Sequence, residues 1–260
     1  MNTQTKERQK MFWKRQFAST PTPKQTVFDV TFGILAPVLC FVLDPIAFQG
    51  SNSVLGAPLF EKYQTFAYLF SGIQIIVLII WLWWGVERAR GINSFLGGIM
   101  FAGGLFCSLL GLMLAPFSLM GLVVVIGVLG FTPFVTGFVY FRNAYRALER
   151  EAARAVPGRA VSSLLLGCVL SFTLSHAVSK GVERKVDYSV DQILYGNDPQ
   201  ALAAARNVRS YSFLMSYRLN RIVDEYRKES TEQYRKERLA KFYEEATGEN
   251  LDQKIRIMMD

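Results

Sequence analysis

The sequence predicts an all-α integral membrane protein, with about five transmembrane helices followed by a helical soluble C-terminal domain. The third and fourth helices are expected to form a tight Gly-rich hairpin. Three observations carry this reading. The chain is 51% hydrophobic with a mean hydropathy of +0.20, too apolar for an ordinary soluble protein. Its apolar residues concentrate between about Val27 and Val178, and the remainder of the chain is charged and periodic. The composition therefore divides the chain into a cationic N-terminal arm (1–25), a transmembrane helical domain (26–179) and a helical soluble domain (180–260).

A bilayer core of about 30 Å needs about 20 apolar residues of helix, and five stretches approach that length without an interior charge, near 27–44, 64–86, 92–114, 117–140 and 160–178. The first opens with Thr26 and Asp29 at capping-box spacing, which assigns Asp29 to a helix start, and it closes at Asp44-Pro45. The cationic residues before it suggest a signal peptide, but Val42-Leu43-Asp44-Pro45 lacks a small-residue cleavage pattern, so an uncleaved span is expected. In the second, Gln74 is the strongly polar side chain near mid-span and reads as interhelical glue.

The third stretch carries five glycines between Ser94 and Pro116, each costing roughly 0.5–1 kcal/mol relative to alanine in a soluble helix. In a membrane the same residues make a packing surface. Gly103, Cys107, Gly111 and Ala115 recur every four residues, and Gly104 and Ser108 form an adjacent row, so these six are the expected helix-packing contacts. Ala115-Pro116-Phe117-Ser118 is the expected turn of the hairpin. Thr132-Pro133 should kink the fourth span. The fifth stretch, with four serines and a terminal histidine, is the weakest, and the side on which the tail lies depends on whether it crosses.

Lys and Arg number six in the N-terminal arm, then one, two, none and five in the successive connections. This alternation places the N-terminus in the cytoplasm of a multi-pass cell-membrane protein. The tail is extracytoplasmic if the fifth stretch crosses and cytoplasmic otherwise. Trp81, Trp83, Trp84, Tyr140 and Tyr145 are expected at the membrane interface.

In the tail, Gly196 should end a short helix, and Asp198-Pro199 reads as an N-cap and first helical residue. Tyr211, Leu214, Met215, Leu219, Ile222, Val223 and Tyr226 then make one apolar face at spacings of three and four, an expected interaction face for a partner. Asp224/Lys228, Glu232/Lys236 and Glu237/Lys241 are possible i,i+4 pairs, with a helix restart at Ser230 and an end at Gly248.

The formal charge of +8 does not indicate nucleic acid. Residues 1–179 hold 14 Lys/Arg against 7 Asp/Glu, and residues 180–260 hold 15 against 14, so the excess lies between membrane segments. Cys40, Cys107 and Cys168 lie in apolar runs without metal-ligand spacing. His176 is the only histidine, which excludes histidine pairs within this chain and leaves only a single axial cofactor ligand as an alternative to a surface residue. No cofactor, metal or catalytic set is expected. Arg142, Arg146, Arg150 and Arg154 repeat every fourth residue, a cationic stripe for anionic lipid or an acidic partner, or one demanded by topology alone. Ionisable groups deep in the spans, which an active transporter needs, are missing from this pattern. The expected function is that of a non-enzymatic membrane subunit, scaffold or assembly factor presenting its tail to a protein partner. A homo-oligomeric channel lined by the Gly-rich hairpin is the second expectation, and a lipid-modifying enzyme the third.

Overall fold

The computed structural model describes residues 21–40, 63–84, 92–121, 130–152, 157–210, 216–228 and 230–259. Among them the regular elements are helical and none is a strand. They are α1 (Pro23–Val30, continuing through a π turn at Thr31–Leu35 to residue 40), α2 (Gln64–Trp84), α3 (Asn93–Gly121), α4 (Thr132–Ala152) and α5 (Pro157–Tyr195). The tail contributes α6 (Asp198–Arg209), α7 (Ser216–Arg227), α8 (Gln233–Thr247) and α9 (Leu251–Met259). Among the described residues three segments are long and apolar enough to cross a membrane: Thr65–Trp83, Asn93–Pro116 and Gly158–Tyr195.

The chain forms two compact units. Met1–Val42 with Phe70–Ser175 make the first, and Leu43–Leu69 with His176–Asp260 make the second. In the first, α3 and α4 are the most closely packed pair. They run antiparallel, since Gly97 faces Ala147, Gly104 faces Phe141 and Gly111 faces Phe134. Val77, Leu78 and Trp81 of α2 join Ile99 and Met100 of α3 and Val139, Tyr140, Ala144 and Ala147 of α4 in its core.

Several local expectations are corrected here. The expected turn at 115–118 is helical: α3 passes through Pro116 to Gly121. A proline removes only one donor from the ladder, whereas opening the helix among apolar side chains would strand several backbone groups. The fourth helix consequently covers Thr132–Ala152 rather than 117–140, and residues 122–129 lie outside the described set. The N-cap of α1 is Thr22, in a capping box with Gln25. The helix thus starts before Thr26, and Asp29 lies inside it.

In the second unit, α5 supplies Val186, Val190, Ile193 and Leu194 to a core completed by alanines of α6, Leu219, Ile222 and Val223 of α7, Leu239, Phe242 and Tyr243 of α8 and Leu251 of α9. The expected short helix before Gly196 is the end of α5, 39 residues long. Arg238 closes that end, donating to the carbonyls of Ile193 (3.3 Å) and Gly196 and to Asp198 (2.7 Å). Asn197, not Asp198, caps α6, with Gln200 as its capping-box mate. No side chain caps α8, which starts after Glu232 rather than at Ser230, and Gly248 ends it with φ 77°. Lys228 pairs with Glu225 at 2.6 Å, not with Asp224.

Candidate functional site

The most concentrated polar chemistry in the first unit lies where α1 meets α4, and it follows from two breaks in the α1 ladder. At the π turn the Ala36 N–H reaches back to the Thr31 carbonyl, which removes the usual α-helical donor from Phe32. One residue on, Pro37 has no N–H to offer Gly33. These two carbonyls accept instead from side chains one turn apart on α4: the Thr136 hydroxyl donates to Phe32 at 2.8 Å and the Tyr140 hydroxyl to Gly33 at 3.0 Å. A buried carbonyl left without a donor would cost about 1–3 kcal/mol, so the pairing holds α4 in register on α1.

Toward the start of α1 the same antiparallel seam becomes ionic. Asp29 is fully buried and accepts from Arg142 through one oxygen and from Arg146 Nη1 through the other, the latter at 3.2 Å. Arg146 also donates to Gln25 Oε1 (3.0 Å) and Asn143 Oδ1 (3.4 Å). Asn143 in turn accepts from the Trp81 indole N–H at 3.2 Å, which ties α2 into the seam. The Arg142 guanidinium lies 5.3 Å from the ring centroid of Phe28 and 5.4 Å from that of Phe138, and Arg150 lies 5.4 Å from that of Trp81. Chemically the cluster is an ion-paired interlock: its carboxylate oxygens are engaged by guanidinium groups, and Arg142 and Arg150 lie over aromatic faces.

Arg142 and Arg146 are 2% and 1% exposed, so these two members of the expected lipid-facing stripe point into the unit. A four-residue repeat drifts little around a helix, and here it follows the seam with α1 rather than the surface. Arg154 lies outside the described residues. Tyr140, expected at the membrane interface, is buried for the same reason, while Tyr145 and Trp83 are exposed. The spacing of Gln25 and Asp29, and of Thr136, Tyr140, Asn143 and Arg146, was the available signal: polar groups at three- and four-residue steps on two helices.

The glycine rows of α3 face occupied space. A Cβ at Gly103 would collide with the Gln74 side chain, at Gly104 with the Phe141 ring and at Gly111 with the Phe134 ring. Gly137 of α4 approaches Ser108 and Cys107, and Ala115 is partly buried. The closest backbone approach uses a pair that the sequence reading passed over. A Cβ at Gly98 would strike the Leu164 carbonyl and one at Gly167 the Phe95 carbonyl, where α3 and α5 cross. Gln74 links α2 to α5 by donating to the Ser171 hydroxyl at 3.0 Å. Gln74 also lines a cavity of about 20 Å³ together with Gly103, Cys107 and Tyr140, a volume that matches a single water molecule.

His176 is exposed on α5. Of the expected tail interaction face, Tyr211, Leu214 and Met215 lie outside the described residues, whereas Leu219 and Ile222 are buried in the core of the second unit. Tyr226 packs beside them and donates its hydroxyl to Asp252 of α9. This part of the stripe is therefore covered by the tail itself, chiefly by α5, α8 and α9, the last of which the sequence reading did not assign. No family model matches the chain, and neither a curated protein nor a solved structure shows significant similarity to it.

Proposed function

We propose that this protein is a non-enzymatic multi-pass membrane subunit, scaffold or assembly factor that presents its C-terminal unit to a protein partner. The observation that carries the reading is a C-terminal unit with a closed hydrophobic core of its own, leaving Tyr188, Tyr195 and Tyr234 67–70% exposed on it. Exposed aromatic side chains on a self-cored helical domain are the residue type that anchors protein contacts. These tyrosines, and not the buried stripe of α7, are the surface offered to the partner.

Five crossings remain the layout we favour. In the first unit α1 runs antiparallel to α4, α4 to α3 and α3 to α2, so successive segments reverse direction. That alternation supports an N-terminal arm on one face of the membrane and the tail on the other. The channel reading loses its argument, because Gln74, Phe141 and Phe134 occupy the glycine surfaces that would have lined a pore.

The test is purification of the full chain in mild detergent, with partners identified by mass. A stoichiometric second protein that is retained by the wild type and lost on combined Tyr188→Ala, Tyr195→Ala and Tyr234→Ala substitution is the expected result. A chain that purifies alone, or a partner indifferent to all three substitutions, overturns this reading.

A further inference from the structure

We propose that the turn of α5 just beyond its apolar face, carrying Arg184 and Lys185, binds the headgroups of anionic phospholipids. Before that turn the helix exposes Val161, Leu165, Val169, Leu170, Leu174 and Val178. The hydroxyls on the same surface are turned back into the helix: Ser162 donates to the Gly158 carbonyl at 2.9 Å and Thr173 to the Val169 carbonyl at 3.0 Å. From Val161 to Val178 this surface measures about 26 Å at 1.5 Å per residue, close to the hydrocarbon thickness of a bilayer.

The surface then changes character within one turn. Lys180 follows Val178 by two residues, and Arg184 follows it by about 9 Å of helix, the depth at which phosphates lie outside the hydrocarbon. Both are exposed, as is Lys185. Gly181, between them, has nothing within 4 Å of where a Cβ would stand, so a headgroup can approach the bare helix there. Tyr188 follows on the same side, exposed.

Among the described residues Lys180 is the one cation of this turn that a neighbouring acid engages, and the acids are otherwise held by Arg218. Glu183 is buried and accepts from Ser179 (3.1 Å), Lys180 (2.7 Å) and Arg218 (3.3 Å), while Asp187 takes two bonds from Arg218 at 2.6 and 2.7 Å. Arg218 thus holds both carboxylates. No ion pair among the described residues engages Arg184 or Lys185. A phosphate of an anionic lipid whose acyl chains lie along the Val161–Val178 surface meets Arg184 and Lys185 directly, a pairing of basic side chain with lipid headgroup that does not depend on which leaflet supplies it.

The inference rests on the membrane placement of the first part of α5 and not on the partner reading. Full-length protein in mixed micelles of phosphatidylglycerol and phosphatidylcholine, examined by native mass spectrometry, should retain the anionic lipid preferentially. Arg184→Gln with Lys185→Gln should lower that preference at least fivefold, the factor expected for a single cation near a charged surface. Arg184→Lys with Lys185→Arg should preserve it, and Arg227→Gln with Lys241→Gln, which removes equal charge elsewhere in the tail, should leave it unchanged. An unaltered preference in the first variant, or an equal fall in the last, overturns the proposal. Membrane retention after alkaline carbonate washing reports insertion separately, and loss of insertion in the first variant would assign the charges to topology and likewise overturn it.

Discussion

Asp29 shows how far a single residue's meaning depends on its surroundings. In the sequence it sits where a capping carboxylate is expected, and only the earlier start of α1 at Thr22 turns it into the anion between two buried guanidinium groups. Removing one partner of such a cluster strands the other, at a cost of about 3–5 kcal/mol. Asp29→Asn should therefore cause a large fall in the melting temperature of the detergent-solubilised protein. Combined with Arg142→Gln it should cost less than the two substitutions summed, since both remove one interaction. Two residues in the tail carry a pH dependence. The Lys228 ammonium, hydrogen-bonded to Glu225, holds that carboxyl below its ordinary value of 4.5, with Arg235 adding to the effect. Its contribution to stability is complete above that pH and lost as pH falls through the depressed folded value. Tyr226 is pushed the other way, from 10.0 to about 12, first by its hydrogen bond to Asp252. The folded state favours its neutral form, so stability that is full below pH 10 should drain away as pH rises toward 12. Denaturation midpoints across that range should lose this component in Tyr226→Phe.

At the scale of the helix, the serines of α5 explain why the sequence undervalued it. Ser171, Ser175 and Ser179 fall at four-residue intervals on its buried face, while Leu166, Leu170 and Leu174 occupy the exposed one. A hydropathy sum over the whole helix mixes the two faces, whereas a membrane solvates only the outer one. The small residues of α3 were legible as a packing surface because glycine has so little other use in such a helix. Their partners were not, since a four-residue spacing says nothing about the chain segment opposite. Gly98 and Gly167 make the point most directly: they lie on separate helices and meet only at the crossing. Leucine at either should separate α3 from α5 and destabilise the protein in detergent, with a fall in melting temperature as the readout. Leucine at Gly72 or Gly158, where an added Cβ meets nothing within 4 Å, should leave the melting temperature within a few degrees of the wild type.

For the molecule as a whole, the helical class and the existence of apolar spans were readable from composition, and the boundary of the third helix was not. Proline signals a break in water, and around Pro116 it failed to produce one. The topology can be fixed by single cysteines at Thr5, Ser53 and Tyr145 in a background without the native thiols, labelled by an impermeant reagent in sealed cells. Five crossings with a cytoplasmic N-terminus expect labelling at Ser53 alone. Labelling of Thr5 together with Ser53 would mean that α1 does not cross. The π turn of α1 also sets an expectation for related chains. Such a turn holds one residue more than the α-helix it interrupts, an excess accommodated here because Thr136 and Tyr140 take up the two carbonyls released around it. The four features are then bound to change together. In descendants of the same ancestral chain where the hydroxyls have become valine and phenylalanine, Pro37 and the extra residue should both be gone, and the first helix should be one position shorter.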